Sequence, residues 1–317
     1  MTKRANIGAE DAKSAYINVV GTMKSGTVAI IGCPNVGKST LLNTLLKEKI
    51  AIVSNKPQTT RTRILGVLHR PDAEIVYLDT PGLHDPQHQL NRRMVRTAME
   101  AMPDADLLYV MIEALRPSLG PQDRLVVQRV REVTAKSKQP VFLLINKVDL
   151  VNKSRILPLI EAVRTAFEWT EIVPISAQTG LNLDRLLDLT VALLPDGDAL
   201  YDRDMLTDQT MRTLASELIR EKILHHTREE IPYVVAVDIE QFVEEGRLAR
   251  IAASILVEKD SQKAIVIGKN GERLKIVGTE ARLDMERIFG MKVFLELWVK
   301  VRPAWREDEQ VLGELGY

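Results

Sequence analysis

The chain has 317 residues, 45% of them hydrophobic and 27% charged, with 43 basic side chains against 43 acidic ones. That length suggests about two domains, and the apolar share excludes wholesale disorder. Zero net charge excludes a polybasic protein that coats nucleic acid through bulk charge, and the lone cysteine, Cys33, excludes an internal disulfide framework and fits a reducing compartment.

Residues 1–26 hold no apolar run of secretory type and carry Glu10 and Asp11 among their basic side chains. They read as an N-terminal extension. No apolar run approaches the roughly 18 residues of a membrane span. From 27 to 195, short Val- and Ile-rich runs at 28–31, 75–78, 107–112, 141–145 and 172–175 alternate with helical patterns at 38–46, 89–101, 121–135, 154–167 and 183–194. Near-continuous apolar strands separated by helices predict a parallel sheet covered on both faces, an α/β three-layer domain. Residues 64–68 add a candidate strand beside 75–78.

Pro195-Asp196-Gly197-Asp198 breaks this pattern and predicts a linker over 196–206. The texture then changes over 207–303. A helix is expected over 210–228, with Leu214, Leu218 and Ile219 on one face. A hairpin of 234–239 and 248–257 follows, around Glu244-Glu245-Gly246. Next come a glycine loop at 268–271, a helix over 279–289 and a strand over 292–301. Strands bunched between helices predict a small α+β domain. Residues 304–317 read as a C-terminal tail.

The first region carries the motifs of a nucleotide site. Gly32-Cys33-Pro34-Asn35-Val36-Gly37-Lys38-Ser39-Thr40 matches G-x-x-x-x-G-K-[ST] between a strand and a helix, the context this phosphate loop requires. Its glycines let backbone N–H groups approach phosphates, and the new helix presents its positive end. Lys38 is expected to reach the β- and γ-phosphates and Ser39 to ligate Mg²⁺. Cys33 stands at a variable loop position and reads as a spectator thiol. Asp79-Thr80-Pro81-Gly82 ends the next apolar strand; Asp79 suits a Mg²⁺ ligand and the Gly82 N–H suits the γ-phosphate. Asn146-Lys147-Val148-Asp149 ends a further strand. The Asp149 carboxylate can accept the paired donors of a guanine edge, which adenine lacks. Asn146 can bridge base and phosphate loop, and the Lys147 stem can cover a ring face. Ser176-Ala177 after 172–175 offers the Ala177 N–H to guanine O6. Gln58-Thr59-Thr60-Arg61 lies where a switch hydroxyl is needed; Thr60 is favoured, with Thr59 the second choice.

The order of these motifs resembles the translation-factor-related class of P-loop GTPases. Cys33-Pro34-Asn35-Val36 and Gln58-Thr59-Thr60-Arg61 resemble the Era branch. Leu83 stands where Ras-like enzymes place a water-orienting Gln, so slow intrinsic hydrolysis is expected. Asn35 either supports K⁺ use, as the resemblance implies, or only stabilises its loop. His84 and His88 have metal-ligand spacing, but Pro86 interrupts them, and a solvated switch is the favoured reading.

In the second region, Ile267-Gly268-Lys269-Asn270-Gly271 leads into Glu272-Arg273-Leu274-Lys275. A G-x-x-G at this place resembles the KH loop, type II order, which clamps about four nucleotides of single-stranded RNA. Lys269, Arg273 and Lys275 supply charge, and Ile265, Ile267 and Ile276 are expected to line an apolar groove. The window 259–275 holds five basic and two acidic residues, while 207–303 as a whole is balanced at 16 and 16. Trp298 and Trp305 read as packing or interface residues. The segments Ile219-Arg220-Glu221-Lys222-Ile223-Leu224 and Leu297-Trp298-Val299-Lys300-Val301-Arg302 also resemble Era. The resemblance implies a GTP/GDP- and Mg²⁺-dependent GTPase with a G domain and a C-terminal KH domain. It implies binding to the 3′ region of 16S rRNA and a role on the 30S ribosomal subunit. It further implies a cytoplasmic monomer, with peripheral contact at the inner face of the cell membrane. The alternatives are a KH protein whose G domain only senses nucleotide, and a related assembly GTPase with a different RNA.

Overall fold

The computed structural model describes residues 23–317. Most of the expected N-terminal extension, residues 1–22, lies outside the described residues. Its last residues do not belong to an extension: strand β1 runs Lys24–Gly32, four residues earlier than its apolar run predicts. Backbone pairing explains the difference. Lys24 pairs with Ala73 of the neighbouring strand, and Ser25 N–H donates to the Pro195 carbonyl at 3.1 Å.

Six strands form the first sheet in the order β2-β3-β1-β4-β5-β6. They are β1, β2 (Ile64–His69), β3 (Ala73–Asp79), β4 (Leu107–Glu113), β5 (Val141–Asn146) and β6 (Glu171–Pro174). All pairs are parallel except β2 with β3. The expected all-parallel sheet therefore carries an antiparallel edge, because the short turn between β2 and β3 cannot make a parallel crossover. Every residue of β3 and β5 is buried, as strands covered on both faces must be. Helices α1 (Lys38–Leu46), α2 (Gln89–Glu100), α3 (Pro121–Ser137), α4 (Ile156–Val163) and α5 (Leu183–Leu193) complete the unit. Strand β1 lies between β3 and β4, so the chain crosses to opposite sides of it. The crevice at the carboxyl ends of such strands is where open α/β sheets bind ligands.

The stretch 196–206 does not hang free. Val67 N–H donates to the Leu206 carbonyl at 2.9 Å, and Leu200 N–H to the buried Glu74 carboxylate at 2.6 Å. The second unit holds α6 (Met211–His226), α7 (Ile231–Val234), β7 (Ala236–Glu245), β8 (Leu248–Val257), α8 (Asp260–Ile267), α9 (Glu272–Phe289) and β9 (Lys292–Val301). Its sheet is ordered β7-β8-β9, antiparallel then parallel. Leu218 and Ile223 of α6 and Val277 and Met285 of α9 share a core with Ile251, Ile255, Val293 and Val299 of the sheet.

Two features of this unit depart from expectation. Helix α8 replaces the apolar approach to the glycine loop; the Gln262 side chain accepts the Glu258 and Lys259 N–H groups at 3.0 and 3.1 Å and so starts it. Helix α9 begins at Glu272, not at 279, because Gly271 at φ 79° turns the chain directly into it. The stretch after Pro303, expected as a tail, forms a 3₁₀ turn at Trp305–Glu307 and helix α10 at Glu309–Glu314. Trp305, Val311 and Leu312 bury themselves with Leu90 and Met94 of α2 and Ala236 and Leu256 of the second sheet. A third core thus spans both units.

Candidate functional site

Strand β1 delivers the phosphate loop, which surrounds a cleft of about 440 Å³ lined by Pro34, Asn35, Gly37, Lys38, Ser39, Thr40, Thr59, Thr60 and Gly82 among others. Gly37 sits at φ 101°, and a Cβ there would come within 2.3 Å of the Asn146 amide nitrogen. Only glycine fits both conditions. Lys38 opens α1 and is buried; burial lowers its pKa and the nearby Asp79 works against that shift. Its ammonium donates to the Gly32 and Cys33 carbonyls at 3.2 and 2.9 Å.

Ser39, Thr60 and Asp79 converge. The Ser39 hydroxyl lies 2.6 Å from Asp79 Oδ2, to which it donates, and 2.8 Å from Thr60 Oγ1. Asp79 Oδ1 is buried and has no protein partner. Burial raises the Asp79 carboxyl to about 6, with Lys38 and Ser39 opposing the rise. An all-oxygen set with one unmet carboxylate oxygen suits a hard cation such as Mg²⁺. The geometry separates the two switch threonines: Thr59 spends its hydroxyl on the Lys56 carbonyl at 2.7 Å, away from this cluster.

Gly82 packs against Pro34, where a Cβ would meet the Pro34 backbone at 2.6 Å. Leu83 is buried, and its N–H donates to the Gly32 carbonyl at 3.1 Å. His84 is buried as well, contrary to the solvated reading. Its Nδ1 lies 2.8 Å from the Gly82 carbonyl oxygen. His88 caps α2 by accepting the Asn91 N–H and contacts Arg306. No metal-binding group of three His, Cys, Asp or Glu side chains occurs among the described residues. Burial and the adjacent Asp123 push the Cys33 thiol up to about 12, in keeping with a spectator.

The guanine-type motif is partly self-occupied. Asn146 donates to the Val36 carbonyl at 2.8 Å and accepts the Ala177 N–H at 2.9 Å. It ties the phosphate loop to Ser176-Ala177, the phosphate-loop half of the expected bridge. The Ala177 N–H expected at guanine O6 is therefore already engaged, because the buried Asn146 carbonyl needs a donor. Lys147 reaches back to the Asn35 carbonyl at 2.8 Å and to Glu113. Asp149 is exposed in the 3₁₀ turn Val148–Leu150. Ser176 is buried, and its hydroxyl accepts the Thr179 N–H at 3.1 Å. Asn35 adopts φ 66° and donates to the Asn55 carbonyl at 2.8 Å, tying phosphate loop to switch loop.

The switch loop, residues 47–63, lies on the second unit. Ile52 is buried within that unit's core. Val53 N–H donates to Glu221 at 3.0 Å, and its carbonyl lies 3.1 Å from His225 Nε2. Lys49 pairs with Glu221 and with Asp284 of α9. Arg61, buried, donates to the Val235 carbonyl at 2.8 Å and lies 5.7 and 5.5 Å from the Trp305 and Tyr317 rings. From the other side, Arg220 of α6 donates to the Thr59 carbonyl. Sequence reasoning missed this seam, since arginines usually signal surface.

The glycine loop joins α8 to α9. Gly268 and Gly271 sit at φ 75° and 79° and Asn270 at φ 52°. Lys269, Asn270 and Lys275 are exposed. Arg273 instead turns back onto the Ile265 carbonyl, capping the end of α8. A groove of about 400 Å³ beside the loop is lined by Leu274, Lys275, Gly278, Thr279, Arg282, Leu295 and Leu297. Ile265, Ile267 and Ile276, expected along an apolar groove, do not line this one; Ile265 and Ile276 are exposed and Ile267 is half-buried. Trp305 packs as expected, while Trp298 on β9 stays 45% exposed.

A family model described as 50S ribosome-binding GTPase matches residues 27–147, and a KH domain model matches 230–306. The GTPase Era of Geobacter metallireducens is 49% identical over 93% of this chain and 98% of its own length. That of Leuconostoc citreum is 49% identical over 93% and 97%. A crystal structure of Era in complex with MgGDPNP and nucleotides 1506–1542 of 16S ribosomal RNA matches at 42% identity and a TM-score of 0.89, covering 93% of this chain and 99% of that one. Phosphate loop, oxygen cluster, guanine-type motif and glycine clamp thus stand together in a chain that belongs to the Era family of GTPases.

Proposed function

We propose that this GTPase holds the 3′ region of 16S rRNA in its KH groove during assembly of the 30S subunit, and that its nucleotide state gates that grip. The observation that carries the gating is the burial of Ile52 of the switch loop in the core of the RNA-binding unit. A loop that follows the γ-phosphate cannot shift without disturbing that core. The RNA target follows the related Era structure bound to such a fragment. We take 27–195 as G domain, 196–206 as linker and 207–303 as KH domain, in keeping with the two matched models.

Within the G domain, Gly32, Asn35, Val36, Gly37, Lys38, Ser39 and Thr40 cradle the phosphates, and Asp149 reads the guanine. Ser39, Thr60 and Asp79 hold Mg²⁺, which when bound neutralises charge on the β- and γ-phosphates. Lys38 holds a buried positive charge at the phosphate end, and Gly82 offers its N–H there. Leu83 cannot orient water, so intrinsic turnover is slow. Asn35 supports a K⁺ requirement by holding the Asn55 carbonyl beside the phosphate loop; equal turnover in KCl and NaCl would reject this part. Ile267, Gly268, Lys269, Asn270, Gly271 and Lys275 clamp RNA, and Arg273 braces the loop. The protein works in the cytoplasm as a monomer. Peripheral membrane contact rests on family likeness alone, and no helix among the described residues is long and apolar enough to cross a membrane.

The test is to crosslink the protein to total RNA with a GTP analogue or GDP and to sequence the bound fragments. Enrichment of the 3′ end of 16S rRNA with the analogue is expected. Identical fragments in both states would reject the gating.

A further inference from the structure

Three positions bear on the switch threonine. Thr60 offers its hydroxyl to the Ser39–Asp79 cluster. Its two chain neighbours are both held by the RNA-binding unit. Arg61, on the C-terminal side, donates to the Val235 and Pro232 carbonyls at 2.8 and 3.3 Å. On the N-terminal side, the Thr59 carbonyl accepts from Arg220. Arg220 is 0% exposed, and its Nε donates to Glu217 at 2.9 Å, which fixes the direction of the guanidinium. Its Nη1 is buried without a partner. A buried guanidinium with one unmet donor is costly, and beyond its pairing with Glu217 on its own helix the contact it keeps is the one to the switch.

We propose that Arg220 is a positioning residue for GTP hydrolysis: the KH unit, through this one guanidinium, fixes the peptide before Thr60 and so sets the hydroxyl that ligates Mg²⁺. The G domain is then incomplete as a hydrolase without α6. The inference rests on the assignment of Thr60 given above. It also explains why α6 is placed between the two sites. It packs against α9, which starts at the glycine clamp, and the two share the Lys222–Asp284 ion pair at 2.6 Å.

Arg220 touches no phosphate, so a positioning role shows in turnover and not in affinity. Arg220→Ala in the full chain should lower kcat about 10- to 100-fold, the scale of a misplaced catalytic group, with KM for GTP and Kd for GDP within about twofold of wild type. Arg220→Lys keeps one donor for the Thr59 carbonyl and should recover most of kcat. Millimolar guanidinium should partly restore Arg220→Ala. His225→Ala serves as the control, because it removes a contact to the same loop at Val53, seven residues from Thr60; it should leave kcat nearly unchanged. Thr60→Ala is measured in parallel. If Thr60→Ala keeps wild-type kcat, the metal assignment fails and the proposal falls with it. If Thr60→Ala loses turnover while Arg220→Ala does not, the proposal alone is overturned. A loss no larger than that of His225→Ala, or one that neither Lys nor guanidinium repairs, marks Arg220 as a structural staple and also overturns it. Should Arg220→Ala not fold, Arg220→Gln with the same kcat and KM readouts decides in its place.

Discussion

Replacing Trp305 by Ala should cut the stability of the second unit sharply. The indole is fully buried among Leu90, Met94, Leu256, Val311 and Leu312. Its Nε1–H donates to the Val234 carbonyl at 2.9 Å, and its face lies 5.7 Å from the Arg61 guanidinium. Truncating a buried Trp to Ala costs about 3–5 kcal/mol. Leaving the Val234 carbonyl unmet adds about 1–3 kcal/mol, and losing a desolvated cation–π contact about 2 kcal/mol. These overlap, since one side chain makes all of them, so about 4–6 kcal/mol is the expected total. Trp305→Phe keeps most of the ring and loses the donor, and should cost about 1–3 kcal/mol. Urea unfolding followed by far-UV circular dichroism reads both, with the transitions of the two units fitted separately because two-state behaviour is not assured for such a chain. A loss below about 1 kcal/mol for the alanine variant would contradict the third core.

Other variants test separate parts of the account. Asp149→Asn should weaken GTP binding about 10²- to 10⁴-fold, two charge-assisted hydrogen bonds' worth, and improve xanthine nucleotide binding; unchanged GTP affinity rejects the base assignment. Gly268→Asp places a carboxylate where phosphate should sit, and its Cβ would meet Arg273 at 2.8 Å. It should abolish RNA binding while sparing nucleotide affinity, and retained RNA affinity refutes the clamp. His88 should govern part of the acid limb of stability. Burial, helped by Arg306, pushes its imidazole down to about 4, so the fold holds the neutral ring. That contribution is complete above the ordinary value of about 6.5 and drains as pH falls toward 4. Wild type should therefore lose more stability between pH 7 and pH 4 than His88→Asn, which keeps a capping acceptor for Asn91. Equal losses would dismiss the histidine.

The elements most legible in the sequence are those whose ends are chemical. Helix α1 spans Lys38–Leu46 as expected, because Gly37 and Lys38 mark its start. Strand β9 spans Lys292–Val301, bounded by Gly290 and Pro303. Helix α8 was hidden because its Ala264-Ile265-Val266-Ile267 run looks like any apolar strand, and only the Gln262 contact to Glu258 and Lys259 marks it as helical. The motif residues Ser39, Thr60 and Asp79 were legible as a set, since Mg²⁺ chemistry needs those oxygens. The occupied state of Asn146 and Ala177 was not, because it depends on packing between strands 31 residues apart. The interdomain seam was the least legible part. Arg61, Arg220 and Glu221 look like surface residues until the two units are placed together.

The most direct test of the account is the affinity of an RNA oligonucleotide from the 3′ end of 16S rRNA for the protein loaded with a GTP analogue and with GDP, at one salt concentration. Coupling between two such sites typically changes affinity about 5- to 150-fold, and tighter binding with the analogue, by about tenfold or more, is the expected result. Equal affinities in the two states would contradict it.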